Sequence, residues 1–237
     1  MKVRLFEIFT SVEGEGILYG TKTLFVRLAG CPFTCFYCDT KESLPLDSGT
    51  EYTIEAANEL IDSNLQNQTY KVNFTGGDPL IQHRAVAELA KHIQNKKIPT
   101  YLESSCFDID RFNHVLPFID IVKIEFKTKD SDFADTKHYE KLIGHTMKCL
   151  ESSVKSKKIT YIKIVVSSKT QLGEFKELVD QIFNIISKDN IDGFVIQPTY
   201  GISEPSLDLL LNLYDIVFPH YIDVKVVPQL HKFIGAP

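Results

Sequence analysis

The 237-residue chain has no run approaching the roughly 18 consecutive apolar residues that a membrane-spanning helix needs. Its opening, "MKVRLFEIFT", lacks the long apolar centre of a secretory signal peptide. We therefore expect no membrane partner and a cytoplasmic location, where thiols stay reduced. There is no basic excess either: 26 Lys and Arg stand against 31 Asp and Glu, a net charge of −5. Nucleic acid as a partner calls for a concentrated basic face. The lysine-rich pieces here, "KSKK" at 155–158 and "NKK" at 95–97, are short and read as solvated helix ends or loops. No internal repeat, low-complexity segment or linker interrupts the chain, so a single domain over 1–237 is expected. A second CxxC is also missing, and with it the paired knuckles common in structural zinc sites.

Thiols, by contrast, are concentrated. The stretch "GCPFTCFYCDT" (30–40) holds three of the five cysteines, Cys31, Cys35 and Cys38. An odd count in a reducing compartment points to metal or redox chemistry ahead of disulfides. Three thiolates can hold three irons of a [4Fe–4S] cube and leave the fourth iron open to an outside ligand. Gly30 and Pro32 suit a sharply turned loop around such a cluster, and Phe36–Tyr37 can shield it. Cys106 and Cys149 are expected to be unligated, and His83 and His92 to be ordinary surface histidines.

Apolar, β-branched runs recur along the chain: "TLFVRLAG" (23–30), "YKVNFTG" (70–76), "PTYLESS" (99–105), "IDIVKIEF" (119–126), "ITYIKIVV" (159–166), "GFVIQPT" (193–199) and "IDVKVVP" (222–228). Between them, 53–65, 83–95, 172–188 and 206–217 carry apolar residues at helical spacing. Thr53 offers an N-cap for the first of these helices. Alternating strands and helices imply right-handed crossovers and a parallel sheet. About six parallel strands are too few to close an eight-fold barrel, so the expected fold is α/β with a partial, open β/α barrel. A doubly wound sheet is the alternative. In either, the site lies at the C-terminal strand ends, where the cysteine loop, "TGGDP" (75–79), "ESSC" (103–106) and "QPTY" (197–200) all fall.

CxxxCxxC with an aromatic before the last Cys resembles the signature of radical S-adenosylmethionine (SAM) enzymes, and "TGGDP" resembles their glycine-rich SAM motif. The N-terminal elements Glu7-Ile8-Phe9, Ser11, Glu13-Gly14-Glu15-Gly16, Gly20, Phe25-Val26-Arg27 and Cys38-Asp39-Thr40 narrow the resemblance to the 7-carboxy-7-deazaguanine synthases. Glu13 stands where that family commonly has Gln. The resemblance implies a radical SAM lyase that converts 6-carboxy-5,6,7,8-tetrahydropterin to 7-carboxy-7-deazaguanine. The steps are hydrogen abstraction by a SAM-derived radical, ring contraction and loss of ammonia, on the route to queuosine- or archaeosine-type deazapurines.

It further implies one 4Fe–4S cluster on Cys31, Cys35 and Cys38, and Mg²⁺ at Thr40. SAM is expected against Tyr37, Gly76, Gly77, Asp78, Glu103, Ser104, Ser105, Lys127, Gln197, Pro198, Thr199 and Tyr200. The substrate is expected against Val12, Glu13, Gly14, Glu15, Arg27, Thr75, His231 and the α-carboxylate of Pro237. Arg27 suits a carboxylate because a guanidinium can meet it as a fork. A flavodoxin-like or ferredoxin-like reductant and a homodimer complete the expectation. A glycyl-radical activating enzyme shares the cysteine motif and a small partial barrel, and a non-catalytic iron–sulfur or zinc module is the alternative outside catalysis.

Overall fold

The structure is a computed structural model that describes residues 1–131 and 136–235. Among these residues nine strands form one sheet: β1 (Lys2–Val12), β2 (Lys22–Leu28), β3 (Thr50–Thr53), β4 (Lys71–Gly76), β5 (Thr100–Ser104), β6 (Ile121–Phe126), β7 (Ile159–Val166), β8 (Gly193–Pro198) and β9 (Val224–Val226). Their order is β3-β1-β2-β4-β5-β6-β7-β8-β9. Every neighbouring pair from β2 to β9 is parallel. The end strands β3 and β9 do not pair with each other, so the sheet is an open partial barrel. Parallel strands number seven among the described residues, close to the six or so expected.

The two antiparallel strands were not anticipated. β1 turns back through residues 13–21 to pair with β2 from Val12↔Lys22 to Leu5↔Leu28, and β3 pairs with its first residues. Their sequences, "KVRLFEIFTSV" and "TEYT", are half polar and hold few buried side chains. An edge hairpin of this kind lacks the continuous apolar run of the buried parallel strands.

Helices α1 (Ile54–Asn64), α2 (His83–Gln94), α3 (Ile109–Val115), α4 (Thr136–Lys155), α5 (Leu172–Ile185) and α6 (Leu207–Val217) link the strands, and α7 (Leu230–Ile234) follows β9. Thr53 caps α1 as its position suggests, its hydroxyl accepting the Ala56 N–H at 3.2 Å. Alternate strand residues divide between two cores. Val72, Phe74, Leu102, Val122, Ile124, Ile162 and Ile164 pack with helix residues such as Ile61, Leu89, Val179 and Ile182. On the concave side, Tyr101, Ile121, Tyr161 and Val195 form a small second core plugged by Ile17 and Leu18 of the hairpin. Two residues further along these strands the concave side becomes polar, and that step sets the floor of the site.

Glycine is required where the glycine turn meets the cysteine loop. Gly77 donates its N–H to the Leu28 carbonyl at 3.0 Å and Asp78 to the Gly30 carbonyl at 2.8 Å. A methyl on Gly77 would overlap the Gly30 carbonyl, whereas one on Gly144, inside α4, meets nothing within 4 Å. Gly77→Ala should therefore destabilise by about 1–3 kcal/mol, the usual scale of overpacking. Gly144→Ala should stabilise by about 0.5–1 kcal/mol through helix propensity. Urea unfolding of the two variants checks the opposite signs, and a neutral Gly77→Ala would show that the two loops are not tightly apposed.

Candidate functional site

The C-terminal strand ends open onto one cavity of about 340 Å³. Cys31, Cys35, Tyr37, Cys38 and Thr40 enter it from the loop after β2, and Thr75, Gly76, Gly77 and Asp78 from the end of β4. Glu103 and Ser104 come from β5 and Ser105 from just after it, Lys127 follows β6, and Gln197, Pro198, Thr199 and Tyr200 stand at the end of β8. The opposite wall is Val12, Glu13, Gly14 and Glu15 from the hairpin, Arg27 from β2 and His231 from α7. The structure thus brings together every site residue expected from sequence except Pro237, which lies outside the described residues.

All three loop thiols are free. The loop is anchored by Gly30, in the left-handed region at φ 97°, and by N–H donation from Gly30 to Ser43 O and from Cys31 to Leu44 O, at 2.8 and 3.0 Å. Burial, reinforced by the Asp78 carboxylate, pushes the Cys31 thiol up to about 12. Among the described residues no three His, Cys, Asp or Glu side chains are grouped to hold a metal ion. A cube takes each thiolate on a different iron, so three thiols spread along one loop fit a cluster better than a single zinc.

Asp78 fastens two of the strand ends. Its carboxylate accepts from Ser104 Oγ (2.8 Å), Ser105 N (2.9 Å), Ser105 Oγ (2.6 Å) and Leu80 N (3.0 Å). The two serine hydroxyls are therefore turned to Asp78, and their contribution to the cavity wall is position. Gln197 differs: it is buried, lines the cavity, and its Oε1 has no hydrogen-bond partner among the described residues. A buried acceptor without a donor is a place for a ligand N–H, and SAM, with an ammonium and an adenine amine, fits it.

The floor is charged yet balanced. Glu125 pairs with Lys123 at 3.1 Å, with Lys163 at 3.3 Å, and with Lys127. Lys163 also holds Glu15 at 2.7 Å, and Lys123 stands 3.6 Å from Glu103. Glu103 accepts from Thr75 Oγ1 at 2.9 Å and from Tyr101 OH at 3.0 Å. Lys127 also donates to Tyr37 OH at 3.3 Å and lies over that ring. Burial opposes the charge on Glu15, but Lys163 and Lys123 overcome it and hold this carboxyl at about 2. Burial also opposes the charges on Lys163 and Glu125, yet their partners drive the lysine well above and the carboxyl well below the ordinary values.

At the rim, Arg27 donates to Glu7 at 2.7 Å and to Thr40 Oγ1 at 3.3 Å, with its head over the Phe9 ring. Thr40 in turn donates to Asp39 at 3.1 Å. Lys232 and Gln229 reach the other oxygen of Asp39 at 3.3 and 3.4 Å, and His231 lies 3.7 Å from it. α7 is seated by the Leu230 N–H on the Gly14 carbonyl at 2.9 Å, and a methyl on Gly14 would collide with the His231 ring. The Gly14 carbonyl thus spends one of its lone pairs on α7, while Gly14 remains in the cavity lining. Lys71, Lys123, Glu125, Lys163, Gln229 and Lys232 were missed in the sequence. The signal for three of them was a Lys or Glu at alternate positions inside runs that are buried throughout, "IVKIEF", or after the first residue, "ITYIKIVV".

Glu15 gives this network a measurable pH signature. Its folded pKa lies below its ordinary value of 4.5, so its contribution is complete above about pH 4.5 and is lost as pH falls toward 2. Glu15→Gln should lower stability at pH 7 by about 1.5–3 kcal/mol, the scale of a charge-assisted hydrogen bond. The gap from the wild type should shrink by pH 3. Urea unfolding at both pH values measures it, and a gap that stays constant would show that Glu15 is not held as an ion.

Comparisons with known proteins bear on this cavity. A family model described as a 4Fe-4S single cluster domain matches residues 12–142. The 7-carboxy-7-deazaguanine synthase of Archaeoglobus fulgidus is 32% identical, with 100% of this chain and 100% of that protein covered. The synthase of the same name from Methanocaldococcus jannaschii is 29% identical over 97% of this chain and 98% of its own. Among solved structures, QueE from Escherichia coli matches with a TM-score of 0.65 at 18% identity, covering 98% of this chain and 95% of that one. At that identity the structural likeness speaks for the fold: an open, mostly parallel α/β sheet. Among the described residues no helix is long and apolar enough to cross a membrane.

Proposed function

The chain belongs to the family of 7-carboxy-7-deazaguanine synthases, radical SAM enzymes, and from that premise we propose that its substrate is 6-carboxy-5,6,7,8-tetrahydropterin. The observation that carries this reading is convergence. Three free thiols, the glycine turn, an unpartnered Gln197 acceptor and the hairpin carboxylates all line one cavity that α7 closes on one side. A cavity closed by a helix suits a small bicyclic substrate. The activation of a glycyl-radical enzyme needs an open groove for a protein segment, and no feature of the cavity favours it.

When bound, the iron–sulfur cluster and SAM supply the radical that removes a hydrogen from the substrate. Cys31, Cys35 and Cys38 are the residues to hold the cluster. Gln197, with the turn at Gly76–Gly77 and the ends of β5 and β8, is placed to hold SAM. Arg27, freed from Glu7, suits the substrate carboxylate, and Glu13 and Glu15 offer acceptors for ring N–H groups. Thr40 and Asp39 are hard oxygen donors at the rim, the type Mg²⁺ takes alongside substrate and water, and they support a Mg²⁺ requirement. The reading extends to a flavodoxin- or ferredoxin-type electron donor, a homodimer, a cytoplasmic location and a deazapurine pathway that ends in modified tRNA.

Protein purified without oxygen should be brown and carry about four irons per chain. Incubation with SAM, a reductant, Mg²⁺ and 6-carboxytetrahydropterin should yield 7-carboxy-7-deazaguanine, followed by liquid chromatography. Cys31→Ala, Cys35→Ala or Cys38→Ala should remove both iron and SAM cleavage, while Cys106→Ala and Cys149→Ala keep the iron. Colourless, zinc-filled protein would end the radical reading, and SAM cleavage with no pterin consumed would end the substrate assignment. Thr40→Ala should raise the Mg²⁺ requirement with iron content unchanged, and Thr40→Ser should retain most activity. Equal loss in both Thr40 variants would show that this hydroxyl does not serve the metal.

A further inference from the structure

Beneath the hairpin lies a buried lysine that the reaction as described does not use. Lys71, on β4, sits in register with Thr23 of β2 and is 0% exposed. Its ammonium donates to Thr23 Oγ1 at 2.6 Å and Thr21 Oγ1 at 3.2 Å, and it pairs with Glu13 Oε2 at 2.8 Å. The Tyr101 ring lies 5.2 Å below. An ammonium has three N–H bonds, and three acceptors take them. Lys71 therefore has nothing left to offer a ligand, and it acts only through what it holds.

What it holds is Glu13, a residue of the cavity lining. Asn73 Nδ2 also donates to Oε2, at 3.3 Å. Among the described residues, the contacts of this carboxylate thus fall on one oxygen, and Oε1 is the oxygen left for the cavity. The backbone of Glu13 is fixed as well: its N–H donates to Thr21 O and its carbonyl accepts from Gly20 N, both at 2.8 Å. Burial, with the nearby Glu103 charge, pushes the Glu13 carboxyl up to about 7, and Lys71 is the main group pulling it back toward the ionised form.

We propose that Lys71 is a positioning residue for substrate recognition: by fixing Oε2 of Glu13 it presents Oε1 to the cavity as an acceptor for ring N–H donors. The ligand this implies is a heterocycle with N–H groups on one edge, such as a 2-aminopyrimidinone. The inference rests on the substrate reading above. If Lys71 served only to complete a buried ion pair, its removal would affect folding stability and leave substrate recognition alone.

The decisive comparison uses an amide. In Glu13→Gln the side chain keeps a single oxygen, and with Lys71 present that oxygen must face the lysine. The NH₂ then points into the cavity, donor against donor. The Michaelis constant for the pterin should rise about 10–150-fold, the scale of a lost charge-assisted hydrogen bond, with iron content and the Michaelis constant for SAM unchanged. Adding Lys71→Met releases the amide to turn its oxygen outward. The double variant E13Q/K71M should therefore bind the pterin several-fold better than Glu13→Gln alone. Lys71→Met by itself should weaken pterin binding while sparing SAM and iron. A double variant no better than Glu13→Gln overturns the proposal, as does Lys71→Met with unchanged pterin binding, and whichever Lys71 variant is obtained folded decides it. Failure of the substrate reading shows separately, in wild-type enzyme that cleaves SAM without consuming pterin, and this inference would fall with it.

Discussion

The site depends on the neutralisation of charge inside a sheet. Four carboxylates, Glu13, Glu15, Glu103 and Glu125, and four lysines, Lys71, Lys123, Lys127 and Lys163, meet on the concave side. An isolated ion moved there from water costs several kcal/mol, and only close partners offset it. The register supplies those partners, because Glu103 lies opposite Lys123 and Glu125 opposite Lys163 on neighbouring parallel strands. A slip of one residue in either pair would turn every charge of a strand into the helix-packed core. The charge lattice thus selects the register, and the register in turn places the strand ends that bear the glycine and serine turns.

A second constraint joins the iron-binding loop to the glycine turn. Gly76, at φ 128°, adopts a conformation that disfavours side chains, and a methyl there would overlap the backbone of Leu28. With Gly77 and Asp78 donating to Leu28 and Gly30, the glycine turn and the start of the cysteine loop behave as one piece. Asp78 carries that piece on to the end of β5 through Ser104 and Ser105. Three strand ends are locked before any ligand arrives. A large cofactor can then be held by backbone already in place, with few ordering losses on binding.

Most of this was legible in the sequence. The parallel strands announced themselves as β-branched runs, Thr53 announced α1, and the cysteine and glycine motifs fell at the strand ends as the topology requires. The edge hairpin was not legible, because a half-polar strand such as β1 has no continuous apolar run and its place depends on pairing with β2. The lysines of the floor were hidden for the opposite reason. Lys123 and Lys163 stand among Ile and Val and were absorbed into the apolar pattern, although a charge at an alternate position of a buried strand implies a buried partner. That partner is distant in sequence, 148 residues away for Lys163 and Glu15, so only the fold names it.

A floor whose charges are already paired attracts a charged ligand weakly, since each ion has its counterpart within contact distance. Recognition then falls to the few groups with an unused valence. Gln197 Oε1 is one, orphaned at the end of β8, and Glu13 Oε1 is another, held outward by Lys71. Both are acceptors, and they sit on different elements of the same cavity, one at the end of β8 and one in the turn after β1, so a cofactor and a substrate can each be oriented through N–H donors without competing. Arg27 completes the division at the rim. It is engaged with Glu7, which is more exposed, so a ligand carboxylate can exchange places with Glu7 while the guanidinium remains paired throughout. A site of this kind gains discrimination from where the spare acceptors point, because a ligand that lacks the matching N–H would leave a buried oxygen unpaired.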